Sequence, residues 1–227
     1  MSVLTTESIE VPAKQSTRGY RVAEEYYTLA HWIRSLRTSS PGARTIGVTG
    51  CSMGAGVSTV AAKLAVAAAE AGDQPVLLLD FSTARPKLAS HLLLSGDLGL
   101  QSALMQAAPP SECVRTTPID NLSLLAFNNE DELQSLNMDL GRLHEMIHVL
   151  EHDFPFIVVD LPTTDTSFCF TTAGILSGVL LVMESERTHC DAAARAKQRL
   201  NQAHANVLGV ILNKHQEYVP TWLDSRL

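Results

Sequence analysis

The sequence predicts an α/β fold, a mostly parallel sheet flanked by helices, and three observations carry that prediction. Short, nearly pure apolar runs recur along the chain, as expected of strands buried on both faces. Segments with helical periodicity separate them. The run nearest the N-terminus passes through a glycine-rich loop into an alanine-rich helix. Strand and helix in alternation give a parallel sheet covered by helices, with right-handed crossovers.

The elements follow in chain order. Residues 1–20 mix Ser, Thr, Glu, Pro and Lys without periodicity and read as a flexible lead-in. A single domain is expected over 21–227, since no composition break divides it. Residues 24–36 read as a helix with Tyr26, Leu29, Ile33 and Leu36 on one face, ended by Ser39-Ser40-Pro41-Gly42. Residues 45–49 (TIGVT) are a strand, 58–71 a helix stopped by Gly72, and 75–80 (PVLLLD) a strand. A helical patch covers 99–106 and a strand 122–126. Helix 130–152, strand 156–160 (FIVVD), strand 178–183 (GVLLVM), helix 188–204 and strand 207–213 (VLGVILN) complete the chain.

Composition removes several functions. The chain has 227 residues, is 45% hydrophobic and carries a net charge of −7. That apolar content is enough for a full core, but a nucleic-acid binder would need a basic stripe. Attachment to anionic lipid by charge is disfavoured too. Four cysteines without a CxxC pair predict reduced thiols. The N-terminus lacks an apolar signal segment, and the densest apolar stretch, 173–183, is far short of the ~20 residues of a span. A cytoplasmic protein is expected, with no direct membrane span and any inner-membrane contact made through a partner.

The chemistry concentrates in residues 50–59, Gly50-Cys51-Ser52-Met53-Gly54-Ala55-Gly56-Val57-Ser58-Thr59. A glycine-rich turn between strand and helix aims backbone N–H groups and the helix N-terminus at phosphates. The pattern GxxxxGK[ST] is nearly met: Gly56 and Ser58 match, Val57 replaces the lysine, and Cys51 holds the first-glycine position. Ser52 to Thr59 are the candidate nucleotide-binding residues, with Ser58 as a magnesium ligand. Asp80 and Asp160 end strands and are the candidate catalytic carboxylates, holding Mg²⁺ through water. The lysine normally stabilises the transferring phosphoryl group, so its loss should weaken ATP or ADP binding and damage transfer more severely. Lys63 is nearly two turns further along the helix and a poor substitute. Arg85 or Lys87 would have to fold over the site.

Six blocks carry a family resemblance: residues 24–33 (EEYYTLAHWI), 46–65 (IGVTGCSMGAGVSTVAAKLA), 76–88 (VLLLDFSTARPKL), 154–162 (FPFIVVDLP), 177–188 (SGVLLVMESERT) and 205–214 (ANVLGVILNK). In this order they resemble the bacterial tyrosine kinases of the CpsD/CapB type, the cytoplasmic ATPase half of capsule and exopolysaccharide chain-length systems. Those kinases are similar to MinD/ParA-like P-loop ATPases with a deviant Walker motif. The resemblance implies a Walker A loop at 50–59, a second Walker motif ending in Asp80, a Walker B strand ending in Asp160, and Asn213 facing the nucleotide base. A turn-capping asparagine is an equal reading of Asn213. It also implies a membrane chain-length (co-polymerase) partner and leaves a homo-oligomer open.

The departures fall on working positions. Val57 replaces the Walker lysine and Ser82 the second aspartate of the second motif. Tyr27 and Ala30 replace two arginines of an E-x-x-R-x-x-R ring-assembly signature that keeps Glu24. The C-terminal tyrosine cluster is reduced to Tyr218. A degenerate, pseudokinase-like regulator of polysaccharide synthesis and export is therefore expected, ahead of an active tyrosine autokinase or a MinD/ParA-like positioning ATPase.

Two other motifs compete. His144-Glu145-Met146-Ile147-His148, with His152, spells the HExxH zinc pattern. The apolar stripe Leu143, Met146, Ile147 and Leu150 argues instead for a packing helix. Cys51 sits at a helix N-terminus that could activate its thiol; filling the turn with a small side chain is the simpler role.

Overall fold

A computed structural model describes residues 22–36, 44–82, 98–127 and 139–215. The expected lead-in 1–20, the segment 130–138, Arg85, Lys87 and Tyr218 lie outside them. Seven strands form one sheet in the order β3-β4-β2-β5-β1-β6-β7. They are β1 (Arg44–Gly50), β2 (Val76–Asp80), β3 (Arg115–Thr116), β4 (Leu122–Ala126), β5 (Phe156–Asp160), β6 (Gly178–Glu184) and β7 (Val207–Asn213). All pairings are parallel except β3 with β4. Every residue of β2 and β5 is buried, which is why those runs contain no polar residue before their terminal aspartates.

Two apolar layers cover the sheet. On one side lie α1 (Glu24–Ser35) and α2 (Val57–Glu70). On the other lie α3 (Leu100–Leu104), α4 (Pro110–Cys113), α5 (Leu140–Asp153), α6 (Ser167–Ala173) and α7 (Cys190–Gln202). The alanine content of α2 has a packing cause: each residue from Val60 to Ala69 is buried, because α2 is sandwiched between the sheet and α1. A helix buried on all sides has no polar face, and small side chains let both neighbours approach. No helix among the described residues is long and apolar enough to cross a membrane.

Boundaries differ from the sequence reading where caps intervene. The helix expected over 130–152 starts at Leu140, because the Asp139 side chain accepts a hydrogen bond from the Gly141 amide at 2.8 Å and fixes the N-cap. Its buried residues are the expected Leu143, Met146, Ile147 and Leu150. On α1 the buried stripe is Tyr26, Ala30 and Ile33, so Ala30 takes the place given to Leu29 and Leu36, which are only half-buried. The α3 helix spans less than the 99–106 patch, and α7 begins two residues late, after His189. Three short elements, β3, α4 and α6, carry too few residues for a periodic signal; α6 is set by Thr166, whose hydroxyl accepts from the Cys169 amide.

Candidate nucleotide-binding site

In this strand order β1 lies between β5 and β6, and the carboxyl ends of β1, β2 and β5 meet at one edge of the sheet. Ligands of open α/β sheets bind at such an edge. Gly50 ends β1 there, and the loop that follows turns through two left-handed glycines, Gly54 (φ +82°) and Gly56 (φ +89°). Gly56 is the N-cap of α2, with no side chain capping the helix. The first-turn amides of Val57, Ser58 and Thr59 therefore have no partner within the helix. They are half-buried, Ala55 is buried, and Ser52, Met53 and Gly54 are exposed, Met53 by 75%. This is the geometry of an anion cradle.

Asp80 and Asp160 occupy matched positions on β2 and β5 and are 1% and 0% exposed. No hydrogen bond of good geometry reaches either Asp160 oxygen among the described residues, and the donor facing them is the Ser58 hydroxyl. Burial, and after it the Asp80 carboxylate, hold Asp160 well above the ordinary aspartate range, while the nearby Ser58 hydroxyl pulls the other way. A buried carboxylate so short of donors beside a like charge fits a cation, and Ser58 stands on the first turn of α2 next to it. Ser82 does more than lose a carboxylate. Its amide (2.9 Å) and hydroxyl (2.5 Å) both donate to Asp80 Oδ1, so the replacement supplies donors to its neighbour.

The missing lysine leaves an apolar plug. A Cβ added at Gly50 would lie 2.7 Å from Val57 Cγ2, so the valine folds back onto the end of β1. The two lysines flanking the loop are engaged elsewhere. Lys63 is buried, with its ammonium 5.8 Å from the Tyr26 ring centroid beneath α1. Lys214, which the sequence reading did not single out, follows β7 and donates to the Gly54 carbonyl at 2.6 Å while pairing with Glu184 at 3.3 Å. Its neighbour Asn213 is fully buried and donates from Nδ2 to the Ala55 carbonyl at 2.8 Å. The last residue of one strand and the residue after it thus hold successive carbonyls of the loop. The only sequence signal was the Asn-Lys pair closing the last apolar run. Across the loop, Thr164 donates its amide to the Gly50 carbonyl at 2.9 Å and in turn offers its own carbonyl to Arg199 at 3.3 Å.

Comparison with known proteins agrees with this geometry. The family model for the cellulose biosynthesis protein BcsQ matches residues 43–226. The chain belongs to the BcsQ family. Among curated relatives, the tyrosine-protein kinase CpsD of Streptococcus agalactiae serotype III is 24% identical over 212 residues, covering 91% of this chain and 89% of CpsD. The chimerical protein CapA2B2 has the same fold, with a TM-score of 0.71 at 23% identity over 86% of this chain and 85% of that one. The septum site-determining protein MinD of Pyrococcus horikoshii, solved with Mg-ADP, gives a TM-score of 0.68 at 23% identity over 81% and 76%. The fold is that of MinD/ParA-like P-loop proteins, as the sequence predicted.

In this BcsQ-family chain the two positions of α1 that depart from the E-x-x-R-x-x-R pattern differ in burial: Ala30 is enclosed and Tyr27 is half-buried. The Tyr27 hydroxyl donates to Glu70 of α2; burial first, and then this bond, push the Tyr27 pKa up to about 12. The HExxH residues do not converge. His144, Glu145 and His148 are exposed on α5, and no cluster able to hold a metal occurs among the described residues. Burial raises the Cys51 thiol, the opposite of what an activated cysteine at a helix N-terminus requires.

Proposed function

We propose that this chain is a nucleotide-binding regulator of exopolysaccharide synthesis and export that does not carry out efficient phosphoryl transfer. The observation that carries the reading is Val57 packed onto Gly50 where a charged donor would act on the phosphates. Membership of a family named for cellulose biosynthesis supports the process, and the kinase relatives support descent from an active enzyme. The cradle amides, Ser58 and the Asp80–Asp160 pair support retained binding of ATP or ADP with Mg²⁺. Asp80 and Asp160 act on the metal, and Asn213 acts on the loop and, through it, on the base. The partner that fits the resemblance is an inner-membrane chain-length protein, with this chain on the cytoplasmic side.

Electrostatic stabilisation dominates phosphoryl transfer, so the loss of a fixed positive charge damages turnover more than affinity. The purified chain, alone and with the cytoplasmic segment of its membrane partner, should show neither ATP turnover above buffer nor phosphotyrosine by mass spectrometry. Robust autophosphorylation would instead establish an active autokinase.

A further inference from the structure

We propose that Arg34 and Arg44 form a carboxylate-binding site at the amino edge of the sheet, an inference that stands apart from the nucleotide-binding reading. Arg44 opens β1 and Phe156 opens β5, and the two are register partners. Their strands end in Gly50 and Asp160, so this edge lies at the far end of the sheet from the phosphate loop. Arg34, in the last turn of α1, lays its guanidinium over the Phe156 ring, with Cζ 5.2 Å from the centroid. Arg44 reaches the same end of α1, donating from Nη2 to the carbonyl of the C-cap Leu36 at 2.7 Å.

The pair is short of negative charge. Arg34 donates from Nη2 to the Ala68 carbonyl in the last turn of α2 at 3.0 Å. Neither arginine forms a salt bridge with a carboxylate among the described residues. Residues 37–43, which link α1 to β1, contain no Asp or Glu. Both Nε atoms are buried without an acceptor, and burial first, then the Arg44 charge, lower the Arg34 pKa. The carbonyls the two arginines hold belong to helix C-termini, each carrying about half a negative elementary charge. Two guanidiniums on two such ends keep about one unit of positive charge. A carboxylate matches that charge and the planar fork of guanidinium donors, whereas a phosphate dianion overshoots it. The site is open to such a ligand, since both arginines are only half-buried. Gly72 helps to keep it open: a Cβ there would lie 3.1 Å from Arg34 Nη1.

The test uses the full chain at neutral pH. Arginine Nε–H resonances are followed while acetate, a hexaglutamate peptide or inorganic phosphate is added at constant ionic strength, with melting temperature read in parallel against chloride. The Arg34 and Arg44 resonances should move together along one saturating curve for each carboxylate probe. Acetate at about ten times its Kd should raise the melting temperature by about 3–5 °C, and Arg34→Gln and Arg44→Gln should each remove that rise. Hexaglutamate that saturates at least about ten-fold below acetate, per carboxylate, supports the site and assigns it to an acidic segment of a protein. Parity between the two supports the site and assigns it to a free small acid. Resonances unmoved by millimolar peptide and by acetate overturn the proposal, as does tighter binding of phosphate than of either carboxylate. A rise in melting temperature that survives in both variants is a general salt effect and overturns it too. The wild-type titration decides the matter even if neither variant folds.

Discussion

Asp80 and Asp160 are register partners on adjacent parallel strands, so their two carboxylates emerge side by side from the interior at one edge of the sheet. Placing like charges this way weakens the empty protein, and the consequence depends on pH. Because Asp160 is held above its ordinary value of 3.8, the native state keeps a proton that the unfolded chain releases. Stability therefore falls as pH rises above 3.8 and levels off once Asp160 ionises in the folded state. Asp160→Asn should raise the melting temperature of metal-free protein at neutral pH and flatten that decline. Mg²⁺ should stabilise the wild type and leave the variant unmoved; calorimetry across pH with and without Mg²⁺ checks both.

The strut from the end of β7 is the second prediction. Asn213→Ala leaves the Ala55 carbonyl without its buried donor and should cost about 1–3 kcal/mol. Lys214→Met removes a more exposed bond and should cost about 1 kcal/mol. In both variants, hydrogen exchange should accelerate in the loop and first turn of α2 before it does so in β5. Uniform acceleration throughout the sheet would contradict a local strut.

Glycine at two left-handed positions can be separated by substitution. At Gly54 an added Cβ meets nothing within 4 Å, so Gly54→Ala carries only the backbone penalty, about 1–2 kcal/mol. At Gly56 the Cβ would fall 2.2 Å from Asn213 Nδ2. Gly56→Ala should therefore exceed Gly54→Ala by about 1–3 kcal/mol in denaturant unfolding, since it also breaks the buried bond beneath the loop.

Placing an arginine at Ala30, to match the E-x-x-R-x-x-R pattern, should not produce a ring. Ala30 is 0% exposed between α1 and α2, so Ala30→Arg buries an unpaired charge and should cost at least about 3 kcal/mol. Tyr27→Phe removes one partly exposed bond to Glu70 and should cost about 1 kcal/mol or less. Urea unfolding measures both, and light scattering should find no ring for Ala30→Arg.

The sheet and the loop were legible in the sequence because their signals are strong and local. VLLLD and FIVVD contain no polar residue until the aspartate, and a glycine pair leading into an alanine-rich helix marks a tight strand-to-helix turn. The helix read as continuous from 130 to 152 has a start at Leu140 because the Asp139 side chain caps it, and 130–138 lie outside the described residues. What the sequence hid were relationships between distant residues. Nothing local to Lys214 announces that its ammonium lies on Gly54, nor that Thr164 reaches the Gly50 carbonyl. Ser82 read as a loss, yet it shields Asp80. His144, Glu145 and His148 lie on a solvent face, while the apolar stripe that argued for a packing helix is the buried one.

The burial of α2 from Val60 to Ala69 has one further consequence. A helix enclosed on every side offers a partner no surface to touch, so it cannot report the state of the loop outward along its own flank. Among the described residues, contacts of the loop outside α2 run through Lys214 and Glu184 on one side and Thr164 and Arg199 on the other. The two contacts hold different carbonyls of the loop, Gly54 on one side and Gly50 on the other, so a partner seated over one of them would feel a different part of the turn than a partner seated over the other.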